Sequence, residues 1–173
     1  MQSRLAVLLP SALLVGAVAA SLVPAGAQAA VLASTNNQIA QLTGPGAIPL
    51  DLSTAPGAQR QVTFVAPTAT DVIISFDAEC SVAGPGFNAY ANIDIQVDTA
   101  PLGGGFVSVL PTTGPDDAFC STNGSPPDDG WVNASRSVVA RVPAGVSAVR
   151  VLLSTVGGPG PSRIDDLSLI VSD

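Results

Sequence analysis

Hydrophobic and polar residues alternate through much of the chain after Arg60, and the alternation carries the fold. From Thr70 to Cys80, Val72, Ile74, Phe76, Ala78 and Cys80 share one side, while Ile73, Ser75, Asp77 and Glu79 share the other. A period of two with branched and aromatic residues predicts a strand. Ala89 to Val97 repeats the pattern: Ala89, Ala91, Ile93, Ile95 and Val97 point one way, and Tyr90, Asn92, Asp94, Gln96 and Asp98 the other. One dry and one wet face is the mark of an antiparallel sheet. Shorter alternating runs predict strands at Arg60–Ala66 and Phe106–Leu110 and longer ones at Trp131–Val142, Val146–Val156 and Arg163–Ser172. Arg136 falls on the apolar side of its run, which predicts a bulge or a sheet edge there, since a buried guanidinium is costly. Ala47–Leu52 reads as an edge strand because Pro49 cannot donate to a ladder.

Glycine and proline punctuate these runs, at Gly84-Pro85-Gly86, Thr99–Gly105, Pro143-Ala144-Gly145 and Gly157–Ser162. No window holds a helical stripe. Seven to nine short strands with such turns predict an all-β fold, an antiparallel β-sandwich of jelly-roll type. The longest irregular segment, residues 111–130, carries four aspartates, four prolines and Cys120. Irregular segments of that length inside a compact domain are commonly functional.

The first 29 residues stand apart. Arg4 precedes an apolar run from Leu5 to Val23, and Ala27-Gln28-Ala29 is a small-x-small cleavage site. This is the pattern of a secretory signal peptide, with residues 30–46 as a loosely ordered lead-in and 47–173 as a single domain. An exported chain with two cysteines predicts one disulfide, Cys80–Cys120. The expected location is extracellular or periplasmic, and the alanine-, glycine- and proline-rich, lysine-free composition points to a bacterial source.

Charge narrows the partners. The formal net charge is −7, and removing a leader that contains Arg4 makes it one more negative. No basic stripe is available to neutralise phosphates, so nucleic acid is excluded as a partner. No later segment is long and apolar enough to span a bilayer. The remaining partners are glycans, cations and extracellular proteins.

The chain contains no histidine and no lysine, so it has no Ser-His-Asp triad, histidine metal cluster or Schiff-base lysine. Paired carboxylates survive as possible catalytic groups. Asp77 and Glu79, at i and i+2 on one strand face, are roughly 7 Å apart by strand geometry. The bland reading is solvated acids on an exposed sheet. Asp116-Asp117, Asp128-Asp129 and Asp165-Asp166 supply the oxygen chemistry that calcium prefers, although no EF-hand spacing is present. Glycan binding needs an aromatic face beside polar groups. The candidates are Trp131, next to the acidic loop with Asp116, Asp117, Asp128 and Asp129, and Tyr90 on the wet side of its strand.

Two stretches carry a resemblance. Asn92–Asp98 (NIDIQVD), Val142–Val151 (VPAGVSAVRV) and Arg163–Leu169 (RIDDLSL) resemble strands and the closing "IDDLSL" of galactose-binding-like jelly rolls, including secreted carbohydrate-binding modules. The region from Ser75 to Val171 is similar to small uncharacterised secreted bacterial β-proteins with an "ISFxAECSV…DDAFC" pattern. The first resemblance implies a jelly roll and places Asp165 where such modules carry an acid near the last strand, a candidate calcium ligand. The aromatic pair that grips sugars in those modules has no counterpart here. The expected function is a secreted, non-catalytic binding module for a carbohydrate or cell-surface component, with no obligate cofactor. A structural or protein-interaction domain is the alternative, and a small carboxylate-based hydrolase the third.

Overall fold

The computed structural model describes residues 29–43, 46–54, 58–82, 89–100, 105–121, 131–157 and 162–173. The leader through residue 28, and Asp128 and Asp129 of the acidic loop, lie outside the described residues. Eleven strands are formed: β1 (Val31–Asn37), β2 (Gln41–Thr43), β3 (Ile48–Pro49), β4 (Val62–Ala66), β5 (Thr70–Val82), β6 (Tyr90–Asp98), β7 (Val107–Pro111), β8 (Cys120–Ser121), β9 (Val132–Val142), β10 (Gly145–Val156) and β11 (Ser162–Ser172). Among the described residues no helix is long and apolar enough to cross a membrane.

All pairings are antiparallel and fall into two sheets. The first runs β1-β11-β5-β9, with β2 continuing β1 along β11. The second runs β3-β10-β6-β7, with β4 continuing β3 along β10 and β8 continuing β7 along β6. Counting each broken edge as one strand leaves two four-stranded sheets whose members alternate along the chain except that β6 and the β7/β8 edge are consecutive in the second sheet, the topology of a jelly roll. The fold expected from periodicity is therefore present. Residues 31–37, read as part of a lead-in, form a seven-residue edge strand paired along β11.

The inner faces are the apolar sides of the sequence pattern. Val72, Ile74, Phe76, Ala78 and Cys80 of β5 meet Ala91, Ile93, Ile95 and Val97 of β6 in one core that also takes Val149, Val151, Leu153, Ile164, Leu167 and Leu169. Burial of this continuous apolar surface is the main driving force for the sandwich. Cys80 and Cys120 form the expected disulfide, which joins β5 of the first sheet to β8 of the second. On one side the gap between sheets is closed by polar contacts. Asn37, 1% exposed, donates through Nδ2 to the carbonyls of Asp51 (2.9 Å) and Ser53 (3.2 Å), and Thr35 Oγ1 donates to the carbonyl of Leu52.

Arg136 sits opposite Phe76 on the inner side of β9. β9 is an edge strand in unbroken register, so the guanidinium escapes past the edge instead of forcing a bulge. It donates to the carbonyls of Ser135 (2.8 Å) and Ala118 (2.6 Å), tying the segment before Cys120 to the open side of the sandwich. An inward-pointing charge on an edge strand also discourages pairing with other chains.

One core residue is unsatisfied. Ser147 lies opposite Phe64, fully buried, and its hydroxyl has no hydrogen-bond partner among the described residues. An orphaned buried hydroxyl costs on the order of 1–3 kcal/mol. Ser147→Ala is expected to raise stability by about 1 kcal/mol, seen as a thermal midpoint a few degrees higher. A fall in the midpoint would show that the hydroxyl is bonded to a buried water.

Candidate functional site

The outer face of the first sheet carries the groove. Asp77 and Glu79 of β5 alternate with buried neighbours and point away from the core. Register places Ser135 of β9 beside Asp77 and Asn133 beside Glu79. On the opposite flank β11 pairs Asp165 with Glu79 and Ser168 with Asp77, which leaves Asp166 and Leu167 together across from the single residue Ala78. That is a β-bulge, and its strained residue is Asp166, at φ 43°. Leu167 turns into the core and Asp166 stays outside. Asp77, Glu79, Asn133, Ser135 and Asp166, with Ala78 and Ala134 beneath, line a groove of about 340 Å³.

What distinguishes this groove is unspent polarity. The side chains of Asp77, Glu79, Asn133, Ser135 and Asp166 make no hydrogen bond or ion pair with any described residue. A second hollow of about 300 Å³ lies on the same face, lined by Ser34, Thr35, Asn36, Ser168 and Ile170. Register joins the two in one transverse row, Asn36–Ser168–Asp77–Ser135, from edge to edge of the sheet. Three strand spacings make this row about 14 Å long.

The acidic loop is organised differently. The Asp117 carboxylate accepts the backbone N–H groups of Thr113 (3.0 Å) and Gly114 (2.7 Å), which closes the turn after β7. Those two amides, Gly114 first and then Thr113, hold its pKa below the ordinary carboxylate value, with a smaller contribution from Arg136. Asp117 is therefore a turn-forming acid, while Asp116 beside it is exposed. Trp131, 43% exposed, immediately precedes β9. Tyr90 opens β6 in the second sheet, paired with Val156 and Ser121. Trp131 is not among the residues that line the groove, and Tyr90 lies on the outer side of the second sheet. The carboxylate of Asp165 accepts the N–H of Asp166 (2.8 Å), a local contact that supports the bulge. Among the described residues no group of three or more His, Cys, Asp or Glu side chains is arranged to hold a metal ion.

The outer face of the second sheet carries a linked polar row. Arg150 Nε donates to Gln96 Oε1 (2.7 Å), Gln96 Nε2 donates to Asp94, and Ser108 Oγ donates to the other Asp94 oxygen (2.5 Å). The Arg150 guanidinium lies 4.1 Å from the centre of the Phe106 ring. Asp98, on the wet side by sequence, is 7% exposed, and it accepts the N–H of Ala100 at 2.8 Å as the chain turns after β6.

No protein-family model matches this chain, and no curated protein matches it in sequence. Among solved structures it is similar to Eiger TNF from S. frugiperda (9% identity, TM-score 0.48, 83% of this chain and 93% of that one). It is also similar to the CBM35 of Abf62 from Cellvibrio japonicus (20% identity, TM-score 0.31, 79% and 92%). A third is the CBM6cm-2 carbohydrate-binding module of Cellvibrio mixtus lichenase 5A, solved with cellotriose (13% identity, TM-score 0.30, 83% and 98%). At these identities and TM-scores the likeness says nothing of activity.

Proposed function

We propose that the protein is a secreted, non-catalytic binding module whose ligand is a neutral glycan of the cell surface or its surroundings, held in the groove on the first sheet. The observation that carries this reading is the convergence of five polar side chains, none engaged by a described residue, on one ligand-sized hollow. Three carboxylates, an amide and a hydroxyl make an acceptor-rich surface that suits the O–H donors of sugars and repels anionic ligands. Trp131, exposed just before β9 and two residues from Asn133 in the chain, would supply an aromatic face. The transverse polar row favours an extended ligand over a monosaccharide.

Affinity electrophoresis through gels containing neutral polysaccharides tests the proposal. Wild-type protein is expected to be retarded by at least one. Asp77→Ala and Asn133→Ala are each expected to weaken retention by about tenfold, the value of one hydrogen bond to a charged or amide partner, with melting unchanged. Absence of retardation in every gel, or retardation of both variants equal to that of the wild type, overturns the proposal. Release of reducing ends from the retained polysaccharide, abolished in Asp77→Asn and Glu79→Gln, would instead establish the carboxylate hydrolase.

A further inference from the structure

The described arginines are accounted for unevenly. Arg141 pairs with Asp71 at 3.3 Å, Arg136 is consumed by loop carbonyls, and Arg60 and Arg163 are exposed. Arg150 is half-buried and held on two sides, by Gln96 at Nε and by the Phe106 ring. Its two terminal nitrogens make no hydrogen bond to a described residue. Asp94 does not neutralise it directly. Both Asp94 oxygens are taken, one by Gln96 and one by Ser108, and that engagement fixes the Gln96 amide with its oxygen toward Arg150. The result is a guanidinium with restricted rotation and a free two-nitrogen edge, the geometry that receives a carboxylate in a paired, bidentate contact.

We propose that Arg150 is the anchor of a second binding site, on the outer face of the second sheet, that takes a sugar acid by its carboxylate. The setting selects a sugar acid over a peptide carboxylate. Arg150 lies on β10 and Gln96 on β6, the two inner strands of their sheet, whose backbone groups are committed to neighbours. A peptide laid on this face finds no free main-chain partner. Further along the same face, about 13 Å away by strand rise, Ser154 stands opposite Asn92, placing a hydroxyl and an amide where the next residue of an oligosaccharide would fall. Gln96 and Asp94 are positioning residues, acting through Arg150. The site is on the opposite face from the Asp77–Asn133 groove and does not depend on it.

The test is an NMR titration of isotope-labelled protein that follows the Arg150 side-chain N–H signal. The probes are galacturonate, glucuronate, glucose, acetate and a short peptide with a free C-terminus. A uronate is expected to shift the Arg150 signal saturably while glucose leaves it in place. Arg150→Lys, which keeps the charge and loses the fork, is expected to weaken binding at least about tenfold. Gln96→Leu is expected to weaken it several-fold by freeing the guanidinium. The wild-type titration reads the site without any variant. Absence of a saturable Arg150 shift with both uronates overturns the inference, as does acetate or peptide binding as tight as uronate. Uronate shifts confined to Asp77 and Asn133 also overturn it. A neutral-glycan footprint in the groove, present or absent, bears only on the proposal above.

Discussion

Replacing both cysteines, Cys80→Ala with Cys120→Ala, is expected to lower the unfolding free energy by about 4 kcal/mol. The bond joins residues 40 apart in sequence, with Cα atoms 6.3 Å from each other. In the chain-entropy picture the cost arises in the unfolded chain, which regains the freedom of that loop. The folded state also loses a tie between sheets, because β8 contributes only Cys120 and Ser121 to the ladder with β6. For a domain of this size the thermal midpoint should fall on the order of 10 °C. Calorimetry of the double variant checks this. A loss below about 1 kcal/mol would mean that the unfolded chain is already compact around this loop.

The second large effect is expected at Phe76. It is fully buried at the middle of β5, between Leu169 of β11 and Arg136 of β9, and its ring centre is 5.3 Å from that of Phe119. Phe76→Ala is expected to cost about 4 kcal/mol, from lost transfer free energy and an unfilled cavity. Its neighbour Ile73, on the other side of the same strand and 44% exposed, is the internal control. Ile73→Ala should cost no more than about 1 kcal/mol. Denaturant unfolding of both variants measures the difference. The Phe76 variant should also loosen the segment 112–119, because Phe119 rests on that ring while its N–H is held by the Ala91 carbonyl at 2.9 Å. Faster amide exchange at Phe119 would show it.

Much of the architecture was legible in the alternation. The apolar sides of Thr70–Cys80 and Ala89–Val97 are the buried sides, and Cys80 lies in phase with the core as its bond to Cys120 requires. Arg136 read as an edge or a bulge, and an edge it is. The pairing of strands was not legible, because β5 takes as neighbours β9 and β11, which follow it by dozens of residues. A groove built from Asp77, Asn133 and Asp166 exists only once that pairing is known, so Asp77 and Glu79 read as solvated acids. One signal did point to the site. Ile164 and Leu167 are three apart, while Leu167, Leu169 and Val171 are two apart, and the odd step is the bulge that carries Asp166. Asp165-Asp166 offers oxygens for calcium in the sequence, and in the structure the Asp165 carboxylate accepts the Asp166 N–H. Asp117 looked free for a ligand because nothing in the sequence says that its carboxylate will be taken by Thr113 and Gly114.

A neutral glycan held in the groove would show itself in an amide chemical-shift map recorded with a neutral oligosaccharide. The oligosaccharide is cut from the polysaccharide that retards the protein. Binding is predicted to perturb Asp77, Glu79, Asn133, Ser135 and Asp166 together, a set drawn from three strands that meet on the outer face of the first sheet. Perturbations confined to residues 112–121, or to the face around Tyr90, would contradict it.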